Sequence, residues 1–128
     1  MKILFVSSEE APFAKVGGLG EVMFSLPRAL VSLGHDARVM IPLYGTIDLT
    51  KYELSYVYEN LDVPTAPNGS GKRLICNVRK YEPKKFNRNP VTTYFLENQE
   101  YYELRSNIYG YSDDRTRFAL LSRGCLEF

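Results

Sequence analysis

The sequence is poor in the residues that form disulfide frameworks and metal sites. Its two cysteines, Cys76 and Cys125, lie far apart and form no CxxC pair, and His35 is its single histidine. Disulfide-stabilised domains and cysteine-histidine zinc sites need more of these residues at closer spacing. We therefore expect two reduced thiols and no bound metal.

Long apolar runs and an excess of one charge are also absent. The sequence contains no apolar run of 18 residues, and Met1 and Lys2 lead directly into a short apolar segment, so it supports neither a membrane span nor a signal peptide. Lys plus Arg number 16 and Asp plus Glu number 15, which leaves a net charge of +1. With no basic field, we expect no binding to nucleic acid or to an anionic membrane.

The beginning of the chain has the pattern of a strand, a helix and a second strand. Residues 2–8 predict the first strand, residues 19–33 the helix and residues 37–42 the second strand. Pro27 removes a backbone hydrogen bond inside the helix and predicts a kink. Gly34 should end the helix. Its buried face is expected to comprise Val22, Leu26, Leu30 and Leu33.

The chain has 128 residues, which suffice for one domain. After the second strand, the pattern predicts an antiparallel insertion and then a strand that rejoins the first sheet. Alternating apolar and polar residues from Tyr52 to Val78 indicate half-buried antiparallel strands, and residues 91–96 form a buried run that should rejoin the parallel strands. Asp113 or Asp114 is expected to cap a last helix. Its apolar face would comprise Phe118, Leu121, Cys125 and Phe128.

The most informative feature is the junction between the first strand and the first helix. Lys15, three glycines and Glu21 lie there within seven residues; the glycines are Gly17, Gly18 and Gly20. Ligands bind at the carboxyl ends of the strands in open α/β sheets. Glycines let a backbone N–H approach an anion, and a helix N-terminus favours negative charge. The junction therefore predicts a site for a phosphate-bearing ligand, with Lys15 as a positive charge.

Two general phosphate-binding motifs do not fit this junction. The pattern G-x-G-x-x-G needs a glycine where Met23 stands, and in a P-loop the lysine follows the glycines, whereas Lys15 precedes them. After the second strand, Pro42 to Tyr44 stand where a dinucleotide-binding domain would have an acid for the ribose. A nucleotide-binding domain of an oxidoreductase is thus disfavoured. A non-catalytic sugar-binding or interaction module remains an alternative.

Three blocks of the sequence resemble the bacterial glycogen synthase and plant starch synthase family. The first is MKILFVSSE followed by KVGGLGEV, the second is SLPRALV with GHDARVMIP, and the third is IYGYSDDRTRFALLSR at residues 108–123. The resemblance implies a three-layer, Rossmann-like α/β fold with a mainly parallel sheet and an antiparallel β insertion. It further implies that residues 1–128 are a partial N-terminal, acceptor-side domain of a GT-B architecture, without the C-terminal donor domain.

The resemblance also implies a retaining glucosyltransferase. Its substrates would be ADP-glucose and the non-reducing end of an α-1,4-glucan, with ADP-glucose as a co-substrate and no cofactor or metal. The expected location is the bacterial cytoplasm, or the plastid stroma for a plant protein. As only about the first quarter of a family member, the chain by itself is expected to be inactive and to self-associate through an open sheet edge.

Individual site residues follow from the matched motifs. Lys15 and Glu21 are expected to be catalytic, and Lys15 is expected to bind the donor together with Gly17 and Gly18. Glu21 stands where the family usually has aspartate. Tyr109 stands where the family has a tyrosine near the glucose or the acceptor. Two simpler roles remain open: Glu21 as an acid favoured by the helix dipole, and Tyr109 as a residue that covers the sheet.

Overall fold

A computed structural model describes residues 1–84 and 90–128, which form a five-stranded sheet with associated helices. The strands are β1 (Lys2–Val6), β2 (Asp36–Pro42), β3 (Ser55–Pro64), β4 (Arg73–Tyr81) and β5 (Thr92–Glu97). The two α-helices of this described part are α1 (Gly18–Ser32) and α2 (Asp114–Glu127), and a π-helical turn spans Gln99–Glu103. None of these helices has the length and apolar content needed to cross a membrane.

The sheet combines a parallel and an antiparallel part, in the order β1-β2-β5-β4-β3. Strands β1, β2 and β5 are parallel, whereas β4 is antiparallel to both β5 and β3. Because β3 and β4 come between β2 and β5 in the chain, they are the predicted antiparallel insertion. The carboxyl ends of β1, β2 and β5 consequently lie at the same end of the sheet.

Helices cover both faces of the sheet. Successive strand residues point to opposite faces: the Phe95 ring lies 5.1 Å from Phe13, in the loop before α1, whereas Tyr94 lies 5.2 Å from Phe128, just after α2. Helix α1 is joined to the loop that carries Phe13 by a 3.1 Å hydrogen bond from the Ala11 N–H to the Gly20 carbonyl. The predicted three-layer, Rossmann-like α/β fold is confirmed.

The predicted bounds of α1 are close to the observed ones, but its predicted buried face is wrong. Val22, Leu26 and Leu33 are 49%, 42% and 74% exposed. The helix instead buries Gly20, Met23 and Pro27. Apolar residues surround most of this helix, so the sequence pattern fits more than one face. The helix continues through Pro27 and ends at Ser32, with Leu33 as the C-cap residue before Gly34, whose φ is +91°.

The last helix also differs from its prediction in detail. Asp113 is the N-cap residue, as predicted, but its carboxylate accepts from Arg105 at 2.6 and 2.8 Å and makes no capping hydrogen bond. The buried face includes Leu120 and Gly124 in addition to the predicted Leu121. A side chain at position 124 would clash with Leu96, since an added Cβ would lie 2.8 Å from it. Phe118 and Cys125 of the predicted face are half-buried and pack against the core, so the buried side of the helix is wider than predicted.

Glu10 is a carboxyl group enclosed in the fold. It is fully buried in the loop after β1, where both of its oxygens accept from the Thr93 hydroxyl at 2.9–3.0 Å. Burial raises the pKa of Glu10 to about 8, against the opposing effects of the Thr93 hydrogen bond and the positive charge of Arg28. The folded protein therefore keeps this proton through a pH range in which the unfolded chain loses it.

The raised pKa of Glu10 predicts a loss of stability as the pH rises. Below the ordinary value of 4.5 Glu10 is protonated in both states, and between 4.5 and about 8 ionisation favours the unfolded chain. Glu10→Gln keeps a neutral acceptor for Thr93, so its free energy of unfolding should rise relative to the unsubstituted protein by up to about 1.4 kcal/mol per pH unit in this range.

Urea unfolding between pH 5 and pH 8 measures this difference. Glu59 is exposed on β3, and Glu59→Gln is the matched control that should show no such trend relative to the unsubstituted protein. A constant difference between Glu10→Gln and the unsubstituted protein across the range would contradict the assignment.

Candidate functional site

The loops that follow the three parallel strands meet at the carboxyl end of the sheet. Tyr44, just after β2, donates its hydroxyl to the Ser8 carbonyl at 2.7 Å. Tyr109, in the segment after β5, donates its hydroxyl to Oε2 of Glu9 at 2.5 Å. Ser8 and Glu9 follow β1, so side chains from three strand ends form one cluster. This is the position at which open α/β sheets bind ligands.

The glycine loop, residues 15–20, lies against the carboxylate of Glu9. The backbone N–H groups of Val16 and Gly17 donate to Oε1 of Glu9 at 2.7 and 2.9 Å. Gly17 is the N-cap residue of α1 and has no side chain that could accept from the first N–H groups of the helix. Glu9 thus supplies the negative group that the start of a helix favours.

Glu9 is ionised although it is only 4% exposed. Burial raises the pKa of its carboxyl, but hydrogen bonds from the Tyr109 hydroxyl and from the N–H groups of Gly17, Val16 and Gly20 have the larger combined effect and lower it below its usual range. A buried charge is tolerated when donors surround it. The glycine loop and Tyr109 therefore stabilise the carboxylate, and the carboxylate fixes their positions.

The structure brings the two predicted catalytic residues into contact. Nζ of Lys15 lies 2.6 Å from Oε1 of Glu21, and the two side chains are 46% and 55% exposed. An ion pair at this exposure contributes at most about 1 kcal/mol. An anionic ligand can therefore replace Glu21 beside Lys15 at little cost.

Gly20 allows the Lys15 side chain to cross the first turn of α1. A Cβ at position 20 would lie 2.9 Å from Cγ and 3.2 Å from Cβ of Lys15, and 3.4 Å from Oε1 of Glu9. Lys15 would have to move, because the clash involves the base of its side chain. Gly20 thus has a packing role at the site, in addition to the turn geometry that its sequence position suggests.

Gly17 and Gly18 border open space. A Cβ added at either position would meet no described atom within 4 Å, so a ligand has room to approach the backbone here. The Gly17 N–H is, however, already engaged by Glu9. The ligand-binding roles of both glycines stay predictions, and the geometry favours Gly18 as the donor with an open approach.

The hydroxyl of Tyr109, a predicted substrate-binding residue, already has two hydrogen-bond partners within the protein. It donates to Glu9, and the Ser8 hydroxyl lies 2.5 Å from it. Its ring lies 5.7 Å from Phe118 and the residue is 37% exposed. Burial and the hydrogen bond to Glu9 raise the pKa of Tyr109. A direct contact with substrate stays a prediction, and the structure adds a connection to the glycine loop.

Sequence reasoning did not assign a role to Ser8 or Glu9. The available signal was an acid shortly after the first strand and before the glycines, which places a carboxylate at the carboxyl end of the sheet. Within the described residues, no group of three or more potential metal ligands occurs.

A separate groove of about 510 Å³ lies between the β3–β4 hairpin and α2. Its lining is mainly apolar and includes Val63, Leu74 and Leu120, with Arg115 and Arg123 also present. No residue of the glycine loop lines this groove.

Comparisons with known proteins agree with the fold and the motifs. The family described as "Starch synthase catalytic domain" matches residues 2–128. A glycogen synthase of Clostridium acetobutylicum is 43% identical over 128 residues, covering 99% of this chain and 24% of that protein. A glycogen synthase of Streptococcus pneumoniae is 40% identical with the same coverage.

A solved structure shows the same architecture. The catalytic domain of starch synthase IV from Arabidopsis thaliana, bound to ADP and acarbose, matches with a TM-score of 0.82 at 27% identity, over 98% of this chain and 24% of that one. The chain thus spans about a quarter of the length of these relatives. Sequence match and fold together show that the chain belongs to the starch synthase catalytic domain family.

Proposed function

We propose that this chain forms the glycine-loop part of a glycogen or starch synthase. The enzyme would transfer glucose from ADP-glucose to the non-reducing end of an α-1,4-glucan with retention of configuration. The observation that carries the proposal is the Lys15–Glu21 pair beside an open glycine loop, at the carboxyl ends of parallel strands. The glycogen synthase relatives and the ADP-bound starch synthase support it.

Lys15 would stabilise the departing diphosphate. Cleavage of the glucose–phosphate bond leaves negative charge on ADP, and a placed cation lowers the energy of that transition state. The positive end of α1 is already partly compensated by Glu9, so Lys15 is the positive group at the loop that remains for a diphosphate. Closure of a cleft around the donor would exclude water and strengthen this interaction.

Glu21 would hold Lys15 until the donor binds and would then face the sugar. Its carboxylate is paired with Lys15 and more than half exposed, so it is free to exchange partners. Glutamate is one methylene longer than the aspartate usual in the family, and a carboxylate at either length accepts from sugar hydroxyls.

Replacing Lys15 tests the proposal. Because the chain spans a quarter of its relatives, the assay uses a chimera in which it replaces the matching part of the Clostridium acetobutylicum glycogen synthase. The chimera should elongate glycogen from ADP-glucose, and Lys15→Ala should lower the rate about 100-fold or more, because loss of one placed donor costs roughly 3 kcal/mol of transition-state stabilisation.

The controls separate the site from the rest of the surface. Lys72→Ala removes an exposed lysine in the β3–β4 connection and should leave the rate unchanged. Glu21→Asp should keep most of the activity, and Glu21→Gln should lose it. A folded chimera without activity, or an unchanged rate in Lys15→Ala, would contradict the proposed function.

We further propose that the isolated chain self-associates through exposed apolar residues near β1. Strand β1 is an edge of the described sheet, and its Leu4 and Val6 are each 43% exposed. Helix α1, which follows β1, also exposes Val22 and Leu26. Unpaired edges and exposed apolar patches favour association.

Sedimentation velocity should therefore show association that increases with protein concentration. Leu26→Lys places a charge on the exposed side of α1 and should shift the distribution towards monomer. Leu104→Lys is the matched control, since Leu104 is 71% exposed but lies beyond β5, and it should not change association. A monomeric unsubstituted chain, or equal effects of both substitutions, would refute the proposal.

A further inference from the structure

The Glu9 carboxylate connects the glycine loop to the C-terminal part of the chain. Oε1 of Glu9 accepts from Val16 and Gly17 in the loop, and Oε2 accepts from Tyr109, which lies 100 residues away in sequence. One side chain thus joins the start of α1 to the segment between β5 and α2.

The segment that carries Tyr109 is itself held firmly. Arg117 of α2 is fully buried and donates to the carbonyl of Ile108 and to that of Tyr101, each at 2.8 Å. The Tyr109 ring also packs against Phe118. The Tyr109 hydroxyl consequently reaches Glu9 from a segment anchored to a helix of the core.

The position of Lys15 depends on this connection in two ways. Lys15 directly precedes Val16, whose N–H is bound to Glu9. The Cβ and Cγ atoms of Lys15 also lie beside Gly20, and Oε1 of Glu9 lies close to the same position. A displacement of Glu9 would therefore change both the backbone and the side-chain path of Lys15.

From these contacts we propose that Glu9 and Tyr109 are positioning residues that act on the reaction through Lys15. Tyr109 holds the Glu9 carboxylate, and Glu9 holds the glycine loop in the conformation that presents Lys15 to the donor diphosphate. The inference rests on the proposed function for its catalytic part, whereas the connection itself can be tested without any ligand. The competing interpretation is a direct, independent contact of Tyr109 with sugar.

Amide hydrogen exchange, measured by NMR on the 128-residue chain, tests the connection. Tyr109→Phe keeps the ring and removes the donor to Glu9, so exchange at the Val16 and Gly17 amides should accelerate roughly tenfold. The amides of β2 should be unaffected, which excludes general destabilisation.

Tyr111→Phe is the matched control. The Tyr111 hydroxyl accepts from the N–H groups of Ser106 and Asn107 in the same segment and does not contact the glycine loop. Its removal should leave exchange at Val16 and Gly17 unchanged. Equal rates in Tyr109→Phe and the unsubstituted chain would overturn the connection.

A double-mutant cycle in the glycogen synthase chimera tests the action through Lys15. Tyr109→Phe should lower kcat/KM for ADP-glucose about tenfold when Lys15 is present and less than about twofold in the Lys15→Ala background, because coupled residues are non-additive. The same loss in both backgrounds would assign Tyr109 an independent contact and overturn the inference. A folded but inactive chimera would instead refute the proposed function, and hydrogen exchange would still decide whether Tyr109 holds the loop.

Discussion

The conformation of the site depends on the burial of one ionised carboxylate. Glu9 is 4% exposed, and a buried charge is stable only when donors surround it. Those donors are two N–H groups from the nearby glycine loop and one hydroxyl from the distant Tyr109, so two parts of the chain must converge on it. The same arrangement serves the start of α1, where Gly17 has no side chain to act as a cap.

This internal carboxylate changes how the glycine loop recognises an anion. The N-terminus of a helix stabilises a negative group by about 1 kcal/mol or less. Here the Glu9 carboxylate already accepts from an N–H group at that terminus, which leaves less of this stabilisation for a ligand. Recognition of a diphosphate then depends mainly on Lys15, which an exposed and weak pair with Glu21 holds close to the loop. The unliganded loop is thus ordered by its own acids, and a ligand has to replace only the weaker of the two contacts.

The sequence was sufficient for the strands, for the two α-helices and for their order. Buried runs such as residues 91–96 and the glycines between the first strand and helix are local signals, and the structure confirms the strands and the α/β order that they predict. The wrong face of α1 has a physical cause. Val22 and Leu26 are apolar like the buried Met23, so periodicity could not identify which side packs on the sheet.

The link between Glu9 and Tyr109 could not be derived from local pattern. The two residues are 100 positions apart, and only the parallel pairing of β1, β2 and β5 brings their loops to one end of the sheet. Long-range partners of polar side chains are set by the topology, and the sequence supplies only the candidates. Even a nearby pair was missed, because Asp113 occupies the predicted cap position but its carboxylate is bound by Arg105, eight residues before it.

Titration of ADP into the isotope-labelled chain, followed by the backbone amide shifts, tests the central claim most directly. Saturable shifts at Lys15 and Gly18 are expected with millimolar or weaker affinity, since an exposed charge pair is worth only about 1 kcal/mol in water. These shifts should disappear in Lys15→Ala. Shifts confined to the groove with Arg115 and Arg123, or none in the glycine loop with ADP in excess, would contradict the account.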